Sequence, residues 1–344
     1  MSRLAAIFGC AGPTLGAQEA AFFADARPWG FILFKRNIAE PQAVRTLVDD
    51  VRATLRRSAP ALIDQEGGRV QRLTPPHWPP YPPGAAYGAL YDFDKDVGLA
   101  AAHLGARLIA FDLEGLGIDV DCLPIADVPV AGADPVVGDR AYGTEPNKVA
   151  AIAGAVAKGL ADGGVLPVLK HIPGHGRATA DSHAKLPVVN TERAVLDATD
   201  FAAFRPLIGL PMAMTAHVVF TALDPIEPAT VSATIVRGVI RDSIGFKGLL
   251  MSDDISMGAL SGSSAERTRA AIAAGCDVVL HCNGQMPEMQ AVAAEAPVLA
   301  GDALCRADAA LASKKPPAPI DVGASRAAFL KLMNGVWEPA QGYA

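Results

Sequence analysis

The feature that most constrains the fold is a regular alternation of short apolar segments with longer segments of helical periodicity. Each apolar segment ends at a polar or Gly-rich turn, which is typical of repeated βα units that form a parallel sheet. Eight such segments can be counted, at residues 4–11, 30–36, 61–66, 118–128, 165–172, 211–218, 248–254 and 277–283. Eight strands joined by crossover helices predict a closed (β/α)8 barrel, the TIM barrel of the α/β class.

The segments between these strands support the same fold. Helices are predicted at residues 40–55, 98–117, 147–164, 232–245 and 265–275. A doubly wound sheet is the alternative, but no GxGxxG follows the first strand, so the usual reason for that fold is missing. We therefore predict a single barrel domain at residues 1–312, followed at 313–344 by a Pro-containing linker, a helix and a tail. The Pro-rich stretch 74–88 is predicted to be an ordered rim loop.

Composition argues against several classes of function. Of the 344 residues, 51% are hydrophobic and 19% are charged, which is typical of a folded enzyme. A net charge of −6 argues against nucleic acid or an anionic membrane as the main partner. No apolar run reaches the roughly 18 residues of a membrane span. The five scattered cysteines suggest neither a disulfide framework nor a CxxC metal site, which favours a cytoplasmic protein.

Polar and ionisable residues collect where the predicted strands end. Since these ends open on a common pocket in a barrel, such residues are candidates for one site. The densest cluster is LKHIPGHGRATADSH, which begins with Lys170 and His171. Residues two apart in an extended segment point the same way, so Asp181 can hold His183 in an acid/base dyad. The alternative is that Asp181 caps a loop and His183 is merely exposed; His175, between the two parts, has no assigned role.

A second cluster is MSDDIS, in which Asp253 ends an apolar strand. A carboxylate in this place can act as a nucleophile. Asp254 is the competing candidate, although it is better suited to cap the following turn. Because adjacent strand residues face opposite ways, only one of the two is expected to reach the centre of the pocket.

A third cluster is ALIDQEGGRVQRL, which places Asp64 and Arg72 around a Gly-Gly turn. Carboxylates and guanidinium groups can bind pairs of hydroxyl groups through paired hydrogen bonds. Glu66 and Arg69 are predicted instead to form an ion pair that braces the loop. Arg140, in GDRAYG, is left open between the solvated surface and the site.

Taken in order, these motifs resemble the family 3 glycoside hydrolases, and within them the single-domain bacterial β-N-acetylglucosaminidases of peptidoglycan recycling. The similarity runs from GFILFKRN through IDQEGGRVQRL, LPIADV, GDRAYG, LKHIPGHG, ADSH, MTAHVVF and MSDDISM to GCDVVLHCN. Ile172 is a departure, because the family more often has an aromatic residue there. No long β-sandwich follows the barrel, which favours the N-acetylglucosaminidase branch.

The resemblance implies a β-N-acetylhexosaminidase that removes terminal β-linked N-acetylglucosamine with retention of configuration. It implies that Asp253 is the nucleophile and that His183, assisted by Asp181, is the general acid/base. The sugar would be bound by five residues, which are Asp64, Arg72, Arg140, Lys170 and His171. The expected partner is a small carbohydrate, with no cofactor and no metal. A metal-dependent hydrolase and a non-catalytic sugar-binding barrel are the alternatives.

Overall fold

The computed structural model describes residues 2–339, which form a closed barrel of eight parallel strands surrounded by helices. The strands are Leu4–Gly9, Pro28–Leu33, Ala61–Ile63, Val120–Asp121, Leu166–Ile172, Met212–Thr215, Leu249–Asp254 and Val278–His281. They follow one another around the barrel in chain order, and the eighth closes it by pairing with the first, Val279 beside Ala6. Each strand overlaps one of the eight predicted segments, so the predicted TIM barrel is confirmed.

Side-chain alternation along the strands produces two apolar layers. In the first strand, Ala5 and Ile7 belong to the cluster inside the barrel, together with Met251 from the seventh strand. Ala6 and Phe8 belong to the larger cluster between the strands and the helices. Because successive strand residues face opposite sides, the apolar residues of a strand alternate between the two layers, and the last residues of the strands face the mouth of the barrel.

The helices are Ala17–Ala26, Pro41–Leu55, Gly84–Phe93, Lys95–Glu114, Pro146–Asp162, Arg193–Ala198, Asp200–Phe204, Ser264–Ala274, Met286–Glu295, Gly301–Ala312 and Val322–Met333, with a π-helix at Thr234–Ile244. The five predicted helices are all present, with ends shifted by a few residues. None of the helices within residues 2–339 combines the length and apolarity needed to cross a membrane.

The prediction of a rim loop at 74–88 is wrong for its last part, because Gly84–Phe93 is a helix. A Cβ on Gly84 would lie 2.1 Å from the carbonyl oxygen of Arg140, and one on Gly88 would lie 2.1 Å from that of Tyr142. These glycines therefore serve close packing of the helix on the next loop rather than a turn. Their packing fixes the backbone that carries Arg140.

The C-terminal segment packs on the outside of the barrel. Arg326 in the helix Val322–Met333 donates to Asp112 over 2.8 Å, and Phe329 lies beside the rings of Tyr81 and Tyr87. The helix Gly301–Ala312 ends where the boundary at 312 was predicted, and that boundary stays a prediction. Residues 340–344 of the predicted tail lie outside the described residues.

Candidate active site

A cavity of about 240 Å³ opens at the carboxyl ends of the barrel strands. Its lining includes all eight of the residues selected from the sequence, which are Asp64, Arg72, Arg140, Lys170, His171, Asp181, His183 and Asp253. They come from the third, fourth, fifth and seventh strands and the loops that follow them. The barrel thus brings together residues that lie far apart in the chain, as expected for its carboxyl-terminal face.

One wall of the cavity is a network of ion pairs. The Nζ of Lys170 lies 2.9 Å from Oδ1 of Asp64 and 2.6 Å from Oε1 of Glu66. Arg72 donates to the other oxygen of Asp64 over 3.0 Å. Arg140 donates two hydrogen bonds to Glu66, over 2.9 and 2.8 Å. Two carboxylates therefore share three cations in one fixed arrangement.

In this network, the opposite charges stabilise one another's ionised forms. Burial would raise the pKa of Asp64 and Glu66, but the cations outweigh it, so the pKa of Asp64 is lowered by Lys170 and Arg72. Arg140 and Lys170 lower the pKa of Glu66 to about 2. Burial would lower the pKa of Lys170, whereas the two carboxylates raise it. Asp64, Glu66 and Lys170 are therefore charged near neutral pH and can hydrogen-bond hydroxyl groups.

His171 is oriented by Asp127, whose role was not predicted from the sequence. The Nδ1 of His171 lies 2.7 Å from Oδ2 of Asp127, whose side chain is fully buried. Burial would raise the pKa of Asp127, but His171 lowers it, so the carboxylate is charged. Since Nδ1 is engaged, Nε2 is the ring nitrogen left for a ligand.

The two aspartates at the end of the seventh strand have different surroundings. Asp253 is partly exposed in the cavity, and its carboxylate accepts the backbone N–H of Asp254 over 2.8 Å. The carboxylate of Asp254 accepts the N–H and hydroxyl of Ser256 over 2.9 and 2.7 Å and the N–H of Cys282 over 3.1 Å. Asp254 therefore caps the following turn and joins it to the eighth strand, whereas Asp253 is available to a ligand.

Strict alternation fails at this strand end, because both Asp253 and Asp254 line the cavity. The pairing register of the seventh and eighth strands shifts between Met251 and Asp254. A shift of this kind changes which way the following side chains face. The two carboxylates are therefore distinguished by their hydrogen-bond partners and not by the side of the strand that each residue faces.

His217 supports this strand end from the sixth. Its Nε2–H donates to the carbonyl oxygen of Asp254 over 3.0 Å, and its Nδ1 lies 2.7 Å from the hydroxyl oxygen of Thr230. Thr215 accepts the backbone N–H of Asp253 over 3.2 Å. Burial would raise the pKa of Asp253, but His217 and His171 hold it below its ordinary value, so this carboxylate is ionised.

The loop that follows the fifth strand carries the predicted dyad. The Nδ1 of His183 lies 2.7 Å from Oδ1 of Asp181, which also accepts the backbone N–H of His183 over 2.9 Å. Burial would raise the pKa of Asp181, but these two donors lower it. The His183 side chain is 68% exposed and that of Asp181 is 44% exposed. The expected contact exists, and it leaves Nε2 of His183 free to exchange a proton.

The predicted ion pair between Glu66 and Arg69 is wrong. Glu66 pairs with Arg140 and Lys170, while Arg69 pairs with Asp139 over 2.9 Å at the rim. Arg140 lies in the cavity wall, not on the solvated surface, with 11% of its side chain exposed. A sequence separation of 74 residues hid the Glu66–Arg140 pair.

A metal-dependent hydrolase would need a set of ligands such as His171, His175, His183, Asp181 and Asp253. Within residues 2–339, no three His, Cys, Asp or Glu side chains are arranged to hold a metal ion. His171 and His183 each direct Nδ1 to an aspartate instead.

The chain can now be compared with known proteins. Residues 15–303 match the N-terminal domain of glycosyl hydrolase family 3. The chain belongs to glycosyl hydrolase family 3. Similar proteins include a β-hexosaminidase of Alkalilimnicola ehrlichii, 38% identical over 281 residues that make up 80% of each chain. A β-hexosaminidase of Methylococcus capsulatus is 38% identical over 294 residues, 84% of this chain and 85% of that relative.

A solved structure has the same fold over nearly the whole chain. NagZ from Neisseria gonorrhoeae, in complex with N-trifluoroacetyl-D-glucosamine, superposes with a TM-score of 0.87 at 30% identity. The match covers 97% of this chain and 99% of that one. The predicted family and the predicted enzyme class, a glycoside hydrolase of the β-N-acetylhexosaminidase type, are both confirmed.

Proposed function

We propose that this chain is a retaining exo-β-N-acetylglucosaminidase that acts through a covalent glycosyl-enzyme intermediate on Asp253. The observation that carries the proposal is the contrast between two neighbouring carboxylates. Asp254 is occupied by Ser256 and Cys282, whereas Asp253 is ionised and faces the cavity. A retaining enzyme needs one such carboxylate to attack the anomeric carbon.

In the first step, an oxygen of Asp253 forms a bond to the anomeric carbon as the bond to the leaving oxygen breaks. His183 gives its proton to that oxygen. In the second step, neutral His183 takes a proton from water, whose oxygen bonds to the anomeric carbon as the ester to Asp253 breaks. Two displacements at one carbon retain its configuration.

A histidine is suited to both steps because unperturbed imidazole titrates near neutral pH. Asp181 accepts the Nδ1–H of His183 and so directs the exchanged proton to Nε2. The acid/base group therefore differs from the second carboxylate that most retaining glycosidases use.

We assign the ion-pair network to the sugar. Asp64, Arg72, Arg140, Lys170 and His171 would bind its hydroxyl and acetamido groups, because they line the cavity with fixed donors and acceptors. The cavity lies just below the usual range for small-molecule pockets, which starts at about 300 Å³. This size is suited to one terminal sugar unit. The N-acylated glucosamine bound to the Neisseria gonorrhoeae protein supports an N-acetylhexosamine.

The natural substrate that we propose is a peptidoglycan-derived muropeptide, cleaved in the cytoplasm. The five cysteines are all free thiols, four of them buried, which is suited to a reducing compartment.

The test is to trap the intermediate with a 5-fluoro-N-acetylglucosaminyl fluoride. Its ring fluorine slows both steps, while the fluoride leaving group favours the first. We expect peptide mass spectrometry to find the sugar on Asp253 and none on the Asp253→Asn variant. A label on Asp254, or a product of inverted configuration by NMR, would overturn the assignment.

A further inference from the structure

His175 is buried in the cavity wall between the sugar-binding strand end and the dyad, and the proposed mechanism does not use it. Its backbone N–H donates to Oδ1 of Asp127 over 2.7 Å, and the other oxygen of that carboxylate orients His171. Its Nε2 lies 3.0 Å from the hydroxyl oxygen of Ser182. Ser182 is the residue between Asp181 and His183, so this contact reaches the centre of the dyad.

Three contacts fix this part of the loop against the rest of the protein. The carbonyl oxygen of His183 accepts the N–H of Gly258 over 3.2 Å, and that of Ser182 accepts the N–H of Ala259 over 3.1 Å. The third is the His175–Ser182 contact. The first two use only backbone atoms, so His175 supplies the side chain that specifies where the dyad docks.

The donor in this third contact follows from burial. Burial lowers the pKa of His175 to about 4, with His171 adding to the effect, so the ring is neutral and carries one N–H. Its Nδ1 has no hydrogen-bond partner among the described residues. Since a buried N–H without a partner is rarer than an unpaired acceptor, the proton lies on Nε2 and is donated to Ser182.

We propose that His175 is a positioning residue for acid catalysis. Its Nε2–H holds Ser182, and so holds His183 where it meets the leaving oxygen. Through Asp127 the same residue ties this position to His171 and the bound sugar. This inference rests on the proposed roles of Asp253 and His183.

A positioning role has a consequence that general support of the fold lacks. Proton donation matters for a basic leaving group, such as a second sugar, and little for 2,4-dinitrophenolate, which departs unprotonated. Misplacing His183 should therefore slow the first step only for the basic leaving group. A looser fold would slow both substrates alike.

The experiment measures kcat/KM for N,N′-diacetylchitobiose and for 2,4-dinitrophenyl β-N-acetylglucosaminide. The variants are His175→Leu, Ser182→Ala, their double mutant and His175→Gln, whose amide N–H can replace Nε2–H. Thr179→Ala is the matched control, because it removes an exposed hydroxyl from the same loop. We expect His175→Leu and Ser182→Ala to lose at least about tenfold on the disaccharide, within the range of general-acid effects, and less than about twofold on the aryl substrate.

The double mutant should lose no more than the worse single variant, and His175→Gln should recover most of the loss. Equal losses on both substrates, additive losses, or an equal loss in Thr179→Ala would overturn the proposal. If a variant folds poorly, its active fraction is set by burst titration on the aryl substrate, so the ratio of the two kcat/KM values still decides. Failure of the proposed role of His183 looks different: His183→Ala itself would then lose equally on the two substrates.

Discussion

The backbone N–H of Asp254 donates to the carboxylate of Asp253 over 2.8 Å, which places two acidic side chains with unlike surroundings at one strand end. The carboxylate of Asp254 accepts hydrogen bonds from Ser256 and Cys282, and that of Asp253 faces the cavity. Replacing each aspartate in turn should therefore separate an effect on stability from an effect on catalysis.

Asp253→Asn should reduce kcat at least about a thousandfold, because an amide is a poor nucleophile for the anomeric carbon. Asp254→Asn should instead reduce the free energy of unfolding by about 1–3 kcal/mol, since it weakens three partly buried hydrogen bonds. Steady-state kinetics and urea denaturation measure the two effects. A greater loss of kcat in Asp254→Asn would contradict the assignment of the nucleophile.

His183→Ala should reduce hydrolysis about 10²–10⁴-fold, the usual contribution of a general acid/base. With the 2,4-dinitrophenyl substrate, added azide should restore turnover, because azide attacks the intermediate without needing a base. The product should be the β-glycosyl azide, identified by NMR. Asp253→Asn is the control that azide should leave inactive, and a His183→Ala enzyme indifferent to azide would remove His183 from the mechanism.

Gly258→Ala should displace the dyad. The added Cβ would lie 2.9 Å from the carbonyl oxygen of His183 and 3.1 Å from that of Ala184, so the loop must shift. We expect kcat to fall about fivefold or more, since small misplacements of reacting groups are costly. Gly238→Ala is the matched control, because its Cβ meets nothing within 4 Å. The inhibition constant of N-acetylglucosamine should not change, and a change of more than about threefold would mean that the shift reaches the ion-pair network of Asp64 and Glu66.

Arg140→Lys should weaken inhibition by N-acetylglucosamine about tenfold, because lysine keeps the charge but loses the paired hydrogen bonds to Glu66. Arg69→Lys, at the exposed pair with Asp139, should change the constant less than about twofold. Competitive inhibition assays measure both. Equal effects would show that Arg140 has no special part in sugar binding.

Acid should weaken the fold through Glu66. Its pKa is lowered in the folded state from 4.5 to about 2, so its stabilising contribution is present above pH 4.5 and is lost as the pH falls towards 2. At 1.36 kcal/mol per unit, this contribution is about 3 kcal/mol. Urea denaturation should show a smaller decline over this interval for Glu66→Gln than for the wild type. An unchanged decline would mean that Glu66 does not titrate with the fold.

The fold could be predicted because each strand is recognisable from its own short stretch of sequence. Segments such as 248–254 have an apolar pattern and a polar end of their own. In a closed barrel, the ends of all the strands meet at one face. The same logic placed Asp64, Lys170 and Asp253 at one mouth without any knowledge of distances.

The contacts that could not be predicted from the sequence join residues from distant elements. Glu66 pairs with Arg140 and not with its neighbour Arg69, because the packing of Gly84 beneath the Arg140 backbone sets that loop. The contacts of the Asp127 carboxylate with His171 and His175 likewise could not be predicted, because they depend on the pairing of the fourth and fifth strands. Local periodicity carries no information on such contacts.

The ion-pair wall formed by Asp64, Glu66, Arg72, Arg140 and Lys170 is held by contacts among its own side chains. Ordering long charged side chains has an entropic cost, and here folding has already met it. A monosaccharide offers too little surface to immobilise five loose side chains and still bind. The smallest ligand that this pocket can retain is therefore decided by the stability of the barrel as well as by its contacts.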